Sequence, residues 1–223
     1  MVKNKEKSQF YDLYMDFGNL RISMSSDPDE PYTYYQQYKG KIIGESESEE
    51  KTEIGEVKLA YFALAQALSN GLSELFVLDE ISMDYEQYYE ALYDLGTKEI
   101  KQSIVDEIGH NNGNLLIVED IVVFPEFRGN SFGLLALRSI MEEFQTCCGY
   151  VMLKALPLQF EARKDKKWLE DMKMDEFPSG LRKATANLAK HYEKLGFKRI
   201  GKSDFYLFCN ELPIPMPDEL KDK

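Results

Sequence analysis

Along this chain the spacing of apolar residues changes period most clearly between Leu115 and Phe144. Leu116, Ile117, Val118, Ile121, Val122 and Val123 form an apolar run rich in β-branched residues, which predicts a strand buried on both faces. Pro125 lacks the donor a central strand needs, so the strand ends near Phe124. From Phe132, apolar residues recur at Leu134, Leu137, Met141 and Phe144, and the period becomes that of an amphipathic helix.

Upstream, Phe10 to Ser25 reads as one or two strands bent at Gly18-Asn19, and Asp27-Pro28 with Glu30-Pro31 marks a loop. Tyr32, Tyr34, Tyr35 and Tyr38 form an aromatic cluster that suits half-buried packing or a substrate-lining wall. Lys41 to Ile43 is a short strand, Glu45 to Glu50 a solvated acidic loop, and Ile54 to Tyr61 a strand with Val57, Leu59 and Tyr61 on one side. Ala60 to Leu68 equally begins a helix ended by Asn70-Gly71, and Leu75 to Leu78 fits either element. Asp84 with Gln87 has the form of a capping box, followed by Tyr85, Tyr88, Tyr89 and Leu92 on one helical face; Ile100, Ile104 and Ile108 mark another helix. Downstream lie a strand over Tyr150 to Leu156, with Val151 and Leu153 opposite Met152, and a charged segment with Trp168, Leu169 and Met172 as its packing stripe. Next comes a helix, with Ser179 as its expected cap, turning Leu181, Ala184, Leu188 and Leu195 inward. A hairpin through Gly201-Lys202-Ser203-Asp204 and a proline-punctuated tail complete the chain.

These elements predict a mixed α/β domain spanning 1–223, with a peripheral tail over 211–223. The 43% hydrophobic content argues against disorder. A formal charge of −12 makes a cationic amine a better ligand than an acidic one, and on this ground nucleic acid and anionic membrane are excluded as partners. Three cysteines, two of them the adjacent Cys147 and Cys148, form neither a disulfide framework nor a zinc-spaced cluster; the expectation is reduced thiols in a cytoplasmic protein that uses no metal. No apolar run reaches transmembrane length.

The turn Arg128-Gly129-Asn130-Ser131-Phe132-Gly133 enters the central helix, where unpaired backbone amides and the helix's positive end suit an anion. Arg128 offers charge-assisted bonds to phosphate. The glycines follow neither the GxGxxG nor the GxxxxGK[ST] spacing. The six residues resemble the [Q/R]-x-x-G-x-[G/A] signature of the GCN5-related N-acetyltransferase (GNAT) superfamily, with Ser131 where the inner glycine is usual. The approach Val122-Val123-Phe124-Pro125-Glu126-Phe127-Arg128-Gly129 is similar to that superfamily's V-x-P-E-[Y/F]-R-G. A second block, Asn187-Leu188-Ala189-Lys190-His191-Tyr192-Glu193-Lys194-Leu195-Gly196-Phe197, resembles its N-x-x-A-x-x-x-Y-E-K-L-G-F.

The resemblance implies a mostly antiparallel sheet flanked by helices. Its fourth and fifth strands splay to admit the pantetheine arm of acetyl-coenzyme A, and Leu156-Pro157-Leu158 suits the irregular exit. The superfamily usually joins its third and fourth strands by a hairpin, so the helices over 72–112 read as an insertion before the central strand. Implied for donor binding are Val122, Val123, Arg128, Gly129, Asn130, Ser131, Phe132, Gly133, Leu134 and Asn187; Tyr192 is implied as general acid. Glu119 aligns with a strand carboxylate that takes the amine proton directly or through water. Because successive strand residues face opposite ways, Asp120 is expected to face another partner. His110 and His191 read as bystanders. The implied activity is transfer of a short acyl group to a primary amine in a ternary complex. The alternative is a weakly catalytic coenzyme A-binding scaffold. The oligomeric state stays open, a homodimer included.

Overall fold

The structure, a computed structural model, describes residues 10–18, 27–109, 113–162, 164–177 and 180–220. The expected bend after Gly18, His110 and the Ser179 cap lie outside them or run beyond them.

Seven strands form one mixed sheet: β1 (Asp12–Asp16), β2 (Tyr35–Glu45), β3 (Lys51–Phe62), β4 (Leu115–Val123), β5 (Tyr150–Lys154), β6 (Lys198–Arg199) and β7 (Phe205–Cys209). Their order is β1-β2-β3-β4-β5-β7-β6, and every neighbouring pair is antiparallel except β4–β5. The short strand expected at Lys41 to Ile43 is thus part of an eleven-residue strand. Gly55 is required where β3 crosses β4, because a Cβ there would meet the Val122 carbonyl oxygen at 2.2 Å.

One face of the sheet is covered by α5 (Phe132–Glu143) and α7 (Leu181–Lys194), which bury Leu116, Val118, Val151 and Leu153 with Leu137, Ile140, Met141, Ala189 and Leu195. The segment between β3 and β4 covers the other face with α1 (Leu64–Ser69), α2 (Glu74–Ile81), α3 (Met83–Leu92) and α4 (Gln102–Ile108). It buries Phe62, Leu115, Ile117, Tyr150, Met152, Phe205 and Leu207 under Val77, Leu78, Tyr85, Tyr88, Tyr89 and Leu92. The alternation expected for β5 holds. The helical segment begins at Leu64, ahead of the expected 72, and it is a core layer.

Three local expectations change. The start of α3 is capped by Ser82, whose hydroxyl accepts from the Asp84 amide at 3.1 Å; the box at Asp84 lies two residues too late because Met83 is already helical. Leu181 is 49% exposed, since α7 has yet to reach the sheet at its first residue. The tail after 211 packs down: Leu220 is buried in the α5-side core, and Arg138 of α5 donates to the Pro215 carbonyl at 2.6 Å while forking onto Glu142 at 2.5 and 2.8 Å. The tail runs without helix or strand from 213 to 216 and then closes into a 3-10 turn, Pro217–Leu220, that brings Leu220 onto the core.

Candidate active site

The parallel pairing of β4 with β5 ends at Val118 opposite Leu153, while β4 continues to Val123. Glu119 to Val123 therefore present an unpaired strand edge. Opposite that edge β5 stops at Lys154 and the chain leaves through Leu156-Pro157, as the proline requires. The opening is a cavity of about 600 Å³ walled by β4, the start of α5, the Leu156–Gln159 exit, the Met174–Phe177 segment and one face of α7.

A bulge shapes the β4 wall. Opposite β3, Leu59 pairs with Val118 and Lys58 with Asp120, so Glu119 is an extra residue in the ladder. The bulge reverses the alternation. Leu116 and Val118 face α5 before it, and Ile121 and Val123 face α5 after it. Both residues border this one cavity, yet Asp120 has a separate partner, as expected. Glu119 still leans toward the helices between β3 and β4. Its Oε1 accepts from Lys58 Nζ at 3.1 Å and from the Tyr85 hydroxyl at 3.0 Å, and its side chain is only 7% exposed. Asp120 Oδ2 accepts from Lys164 Nζ at 3.1 Å, and that ammonium lies 4.7 Å over the Trp168 ring. Glu119 Oε2 and Asp120 Oδ1 are buried with no partner among the described residues, which is costly for a carboxylate unless water or a ligand completes it.

The start of α5 is where the anion nest was expected. The Leu134 and Leu135 amides both turn to the Ser131 carbonyl at 3.0 Å, whereas Phe132 and Gly133, as the first two helical residues, have no intrahelical acceptor. Gly129 has φ +81°, and Ser131 sits in the left-handed region at φ 61°, ψ 14°. A non-glycine residue costs about 1–2 kcal/mol there, and the Ser131 side chain returns no capping bond. We expect Ser131→Gly to stabilise the fold by about 0.5–1 kcal/mol, after the added freedom of the unfolded chain is set against the relieved strain. Denaturant unfolding checks this, and a loss of stability would show that the serine side chain is needed.

Arg128 lines the cavity but is occupied. Its Nε donates to the Val123 carbonyl at 3.1 Å, its Nη2 to the Met172 carbonyl at 2.7 Å, and its guanidinium lies 4.8 Å over Phe177. Burial lowers its pKa. It braces the segment after α6 (Lys166–Asp171) against the end of β4, and Nη1 alone is left without a partner among the described residues.

The other residues singled out from sequence converge on the same space. Val122, Val123, Gly129, Ser131, Phe132, Gly133, Leu134, Asn187 and Tyr192 all line the cavity. Asn130 does not; its side-chain amide donates to the Phe127 carbonyl at 3.1 Å and closes the turn from behind. Tyr192 is held between Phe197 and Tyr206 at centroid distances of 6.2 and 6.0 Å. Burial first, and the Asp120 charge second, push its phenol up. His191, read as a bystander, is exposed and also borders the cavity. The sequence analysis does not single out Lys58 or Lys164 and places Tyr85 only in a packing stripe, because periodicity does not show which side chains meet across the sheet.

One parallel pair opening over a helix N-terminus, in an otherwise antiparallel sheet, is the arrangement the two sequence blocks imply. The chain has a mixed α/β fold, a mostly antiparallel seven-stranded sheet flanked by helices, as the resemblance implies. No family model and no curated protein matches the sequence. Similar solved structures include the KacTA–DNA complex (TM-score 0.42, 10% identity, covering 90% of this chain and 94% of that one). A mutant of KacT is similar at TM-score 0.41 and 9% identity, over 78% of this chain and 72% of that one. AtaTR bound with AcCoA is similar at TM-score 0.37 and 9% identity, over 78% and 71%. The exclusion of nucleic acid drawn from net charge is corrected here: KacTA, similar in structure, is in complex with DNA. A whole-chain charge of −12 does not decide the partners of a protein with this fold.

Among the described residues no group of three or more His, Cys, Asp or Glu is arranged to hold a metal ion, and no helix is long and apolar enough to cross a membrane. Cys147, Cys148 and Cys209 are free thiols; burial pushes Cys148 up to about 12.

Proposed function

We propose that this protein is a coenzyme A-dependent N-acyltransferase that moves a short acyl group, acetyl by default, to a primary amine. The observation that carries the reading is the convergence of an unpaired β4 edge, the free amides at the start of α5, and Tyr192 and Asn187 of α7 on one cavity. The free amides suit a pyrophosphate, and the strand edge suits the amides of a pantetheine arm, which can pair with it as an added strand would. Acetyl-coenzyme A would supply the activated acyl group, as AtaTR, similar in structure, is bound with AcCoA.

In this reading Glu119, directly or through one water on Oε2, takes the proton that the amine loses as its nitrogen bonds to the acyl carbon. Tyr192 gives its hydroxyl proton to the sulfur as the carbon–sulfur bond breaks. Asn187 orients the arm, and the main chain from Val122 to Leu134 holds the donor. The strained Ser131 and the occupied Arg128 side chain favour a second reading, a coenzyme A-binding protein with weak catalysis. Titration calorimetry with acetyl-coenzyme A, followed by thiol release with and without added primary amines, tests the proposal. Amine-dependent release supports it, tight binding with no release for any amine supports the second reading, and no binding sinks both.

Glu119→Gln should lower turnover most on the acidic side of the rate profile, where the amine is least able to lose its proton unaided, and leave donor affinity unchanged. A uniform loss at every pH with partial unfolding would mark Glu119 as structural.

A further inference from the structure

We infer that Tyr85 is a positioning residue of the active site, so that the helical layer between β3 and β4 takes part in catalysis as well as covering the sheet. The inference rests on the acyltransferase reading, with Glu119 as the group that receives the amine proton.

Donors and acceptors around the Glu119 carboxylate form a chain with one direction. The Tyr85 hydroxyl donates its only proton to Glu119 Oε1 at 3.0 Å. At its 3.3 Å contact with the Tyr35 hydroxyl, Tyr85 must then be the acceptor, so Tyr35 donates. Gln37 Nε2 in turn donates to the Tyr35 oxygen at 3.0 Å. The chain Gln37–Tyr35–Tyr85–Glu119 therefore has one direction, from the exposed amide to the buried carboxylate. Chains of this kind polarise one another and strengthen the terminal bond.

With Lys58 Nζ also on Oε1 at 3.1 Å, that oxygen carries two donors, while Oε2 has none among the described residues. The carboxylate cannot rotate without breaking both bonds, and Oε2 remains as the oxygen able to accept a proton. Of the two clamps Tyr85 is the fixed one. It is 5% exposed, its ring meets Phe62 edge-on at 5.0 Å and Tyr35 at 5.9 Å, and its amide is bonded to the Ser82 carbonyl at 2.8 Å. Lys58 reaches Oε1 on a flexible stem that is 29% exposed. Burial, reinforced by the Tyr35 bond and the Glu119 charge, pushes the Tyr85 phenol up, so it keeps the proton it donates. The bulge at Glu119 aims this side chain toward α3 while its neighbour Asp120 turns to Lys164.

Tyr85→Phe keeps the ring and removes only the donor. Crystal structures of the parent and of this variant should show the Glu119 carboxylate turned away from its parent orientation; an unmoved carboxylate overturns the inference without need of an acceptor. With acetyl-coenzyme A and spermidine, cadaverine and a lysine peptide as amine probes, kcat should fall roughly tenfold, the scale of one lost orienting hydrogen bond, with KM for acetyl-coenzyme A unchanged. Tyr35→Phe, one link further out, should lose less. The double variant Tyr85→Phe/Glu119→Gln should be no slower than Glu119→Gln alone, because Tyr85 acts through that carboxylate. Losses that multiply in the double variant, or a Tyr85→Phe rate equal to the parent's beside a slowed Glu119→Gln, would make Tyr85 a packing residue. If Glu119→Gln itself matches the parent while donor binding and transfer persist, the assignment of Glu119 fails and takes this inference with it, leaving the acyltransferase reading intact.

Discussion

Replacing Tyr192 with phenylalanine should slow single-turnover acyl transfer by roughly 10²–10⁴-fold, the usual contribution of a positioned general acid, while donor affinity stays near the parent's. The substitution removes one oxygen and leaves the ring between Phe197 and Tyr206, so the packing at the end of α7 survives. The upward push on the phenol from burial and from Asp120 carries a second expectation. A raised phenol keeps its proton through neutral and mildly alkaline conditions, so the loss should be the same factor from about pH 6 to 9. Any alkaline fall in the parent's rate then belongs to another group. Rapid-quench transfer measured across that range decides it. If Tyr192→Phe matches the parent, the departing sulfur takes its proton from water or from the acceptor.

Gly133→Pro should weaken acetyl-coenzyme A binding at least a hundredfold, beyond the reach of ordinary calorimetry. Gly133 is the second residue of α5, where the amide has no intrahelical acceptor, so proline breaks no helix bond there. It removes a donor aimed at the proposed pyrophosphate and pushes the preceding Phe132 out of helical geometry. A charge-assisted bond is worth about 1.5–3 kcal/mol, and a displaced helix start adds the loss of its neighbour's amide. Gly133→Ala is the control. A Cβ there would lie 3.5 Å from Val123 Cγ2 and 3.8 Å from Ile121 Cγ2, ordinary contacts, and the amide is kept. Donor affinity should therefore change by no more than a few-fold in Gly133→Ala. Unchanged affinity in folded Gly133→Pro would remove the start of α5 from the donor site.

What could be read from the chain was whatever rested on period and on short motifs. The switch from strand to helix across Pro125, the two faces of β5 and the tyrosine stripe of α3 all follow from local spacing, and each stands in the structure. The opening between β4 and β5 was implied by the two sequence blocks and is present. The bulge at Glu119 was not legible, because β4 is apolar on both faces and a slipped phase leaves such a sequence looking the same. Nor was the clamp on Glu119, since Lys58 and Tyr85 meet that carboxylate from 61 and 34 residues away. The tail over 211–223, expected to be peripheral, differs for another reason: Leu220 is buried at the end of a short 3-10 turn, Pro217–Leu220. Pro213, Pro215 and Pro217 announce a chain without regular helix or strand, but they do not say whether it packs on the core.

The position of α1 to α4 between β3 and β4 also bears on how the sheet is assembled. Between Phe62 and Leu115, which face each other as partners at one end of the β3–β4 ladder, lie 52 residues. Closing a flexible loop of that length costs about 2 kcal/mol more than closing a hairpin of roughly four residues, by the logarithmic dependence of loop entropy on length. The β2–β3 ladder, joined by the short turn between Glu45 and Lys51, carries no such burden. Joining β3 to β4 becomes favourable once α1 to α4 have shortened the effective loop and placed Val77, Leu78 and Leu92 over Phe62 and Leu115. We expect the central seam of the sheet, beside which the proposed chemistry lies, to form late and together with the docking of the helices that carry Tyr85.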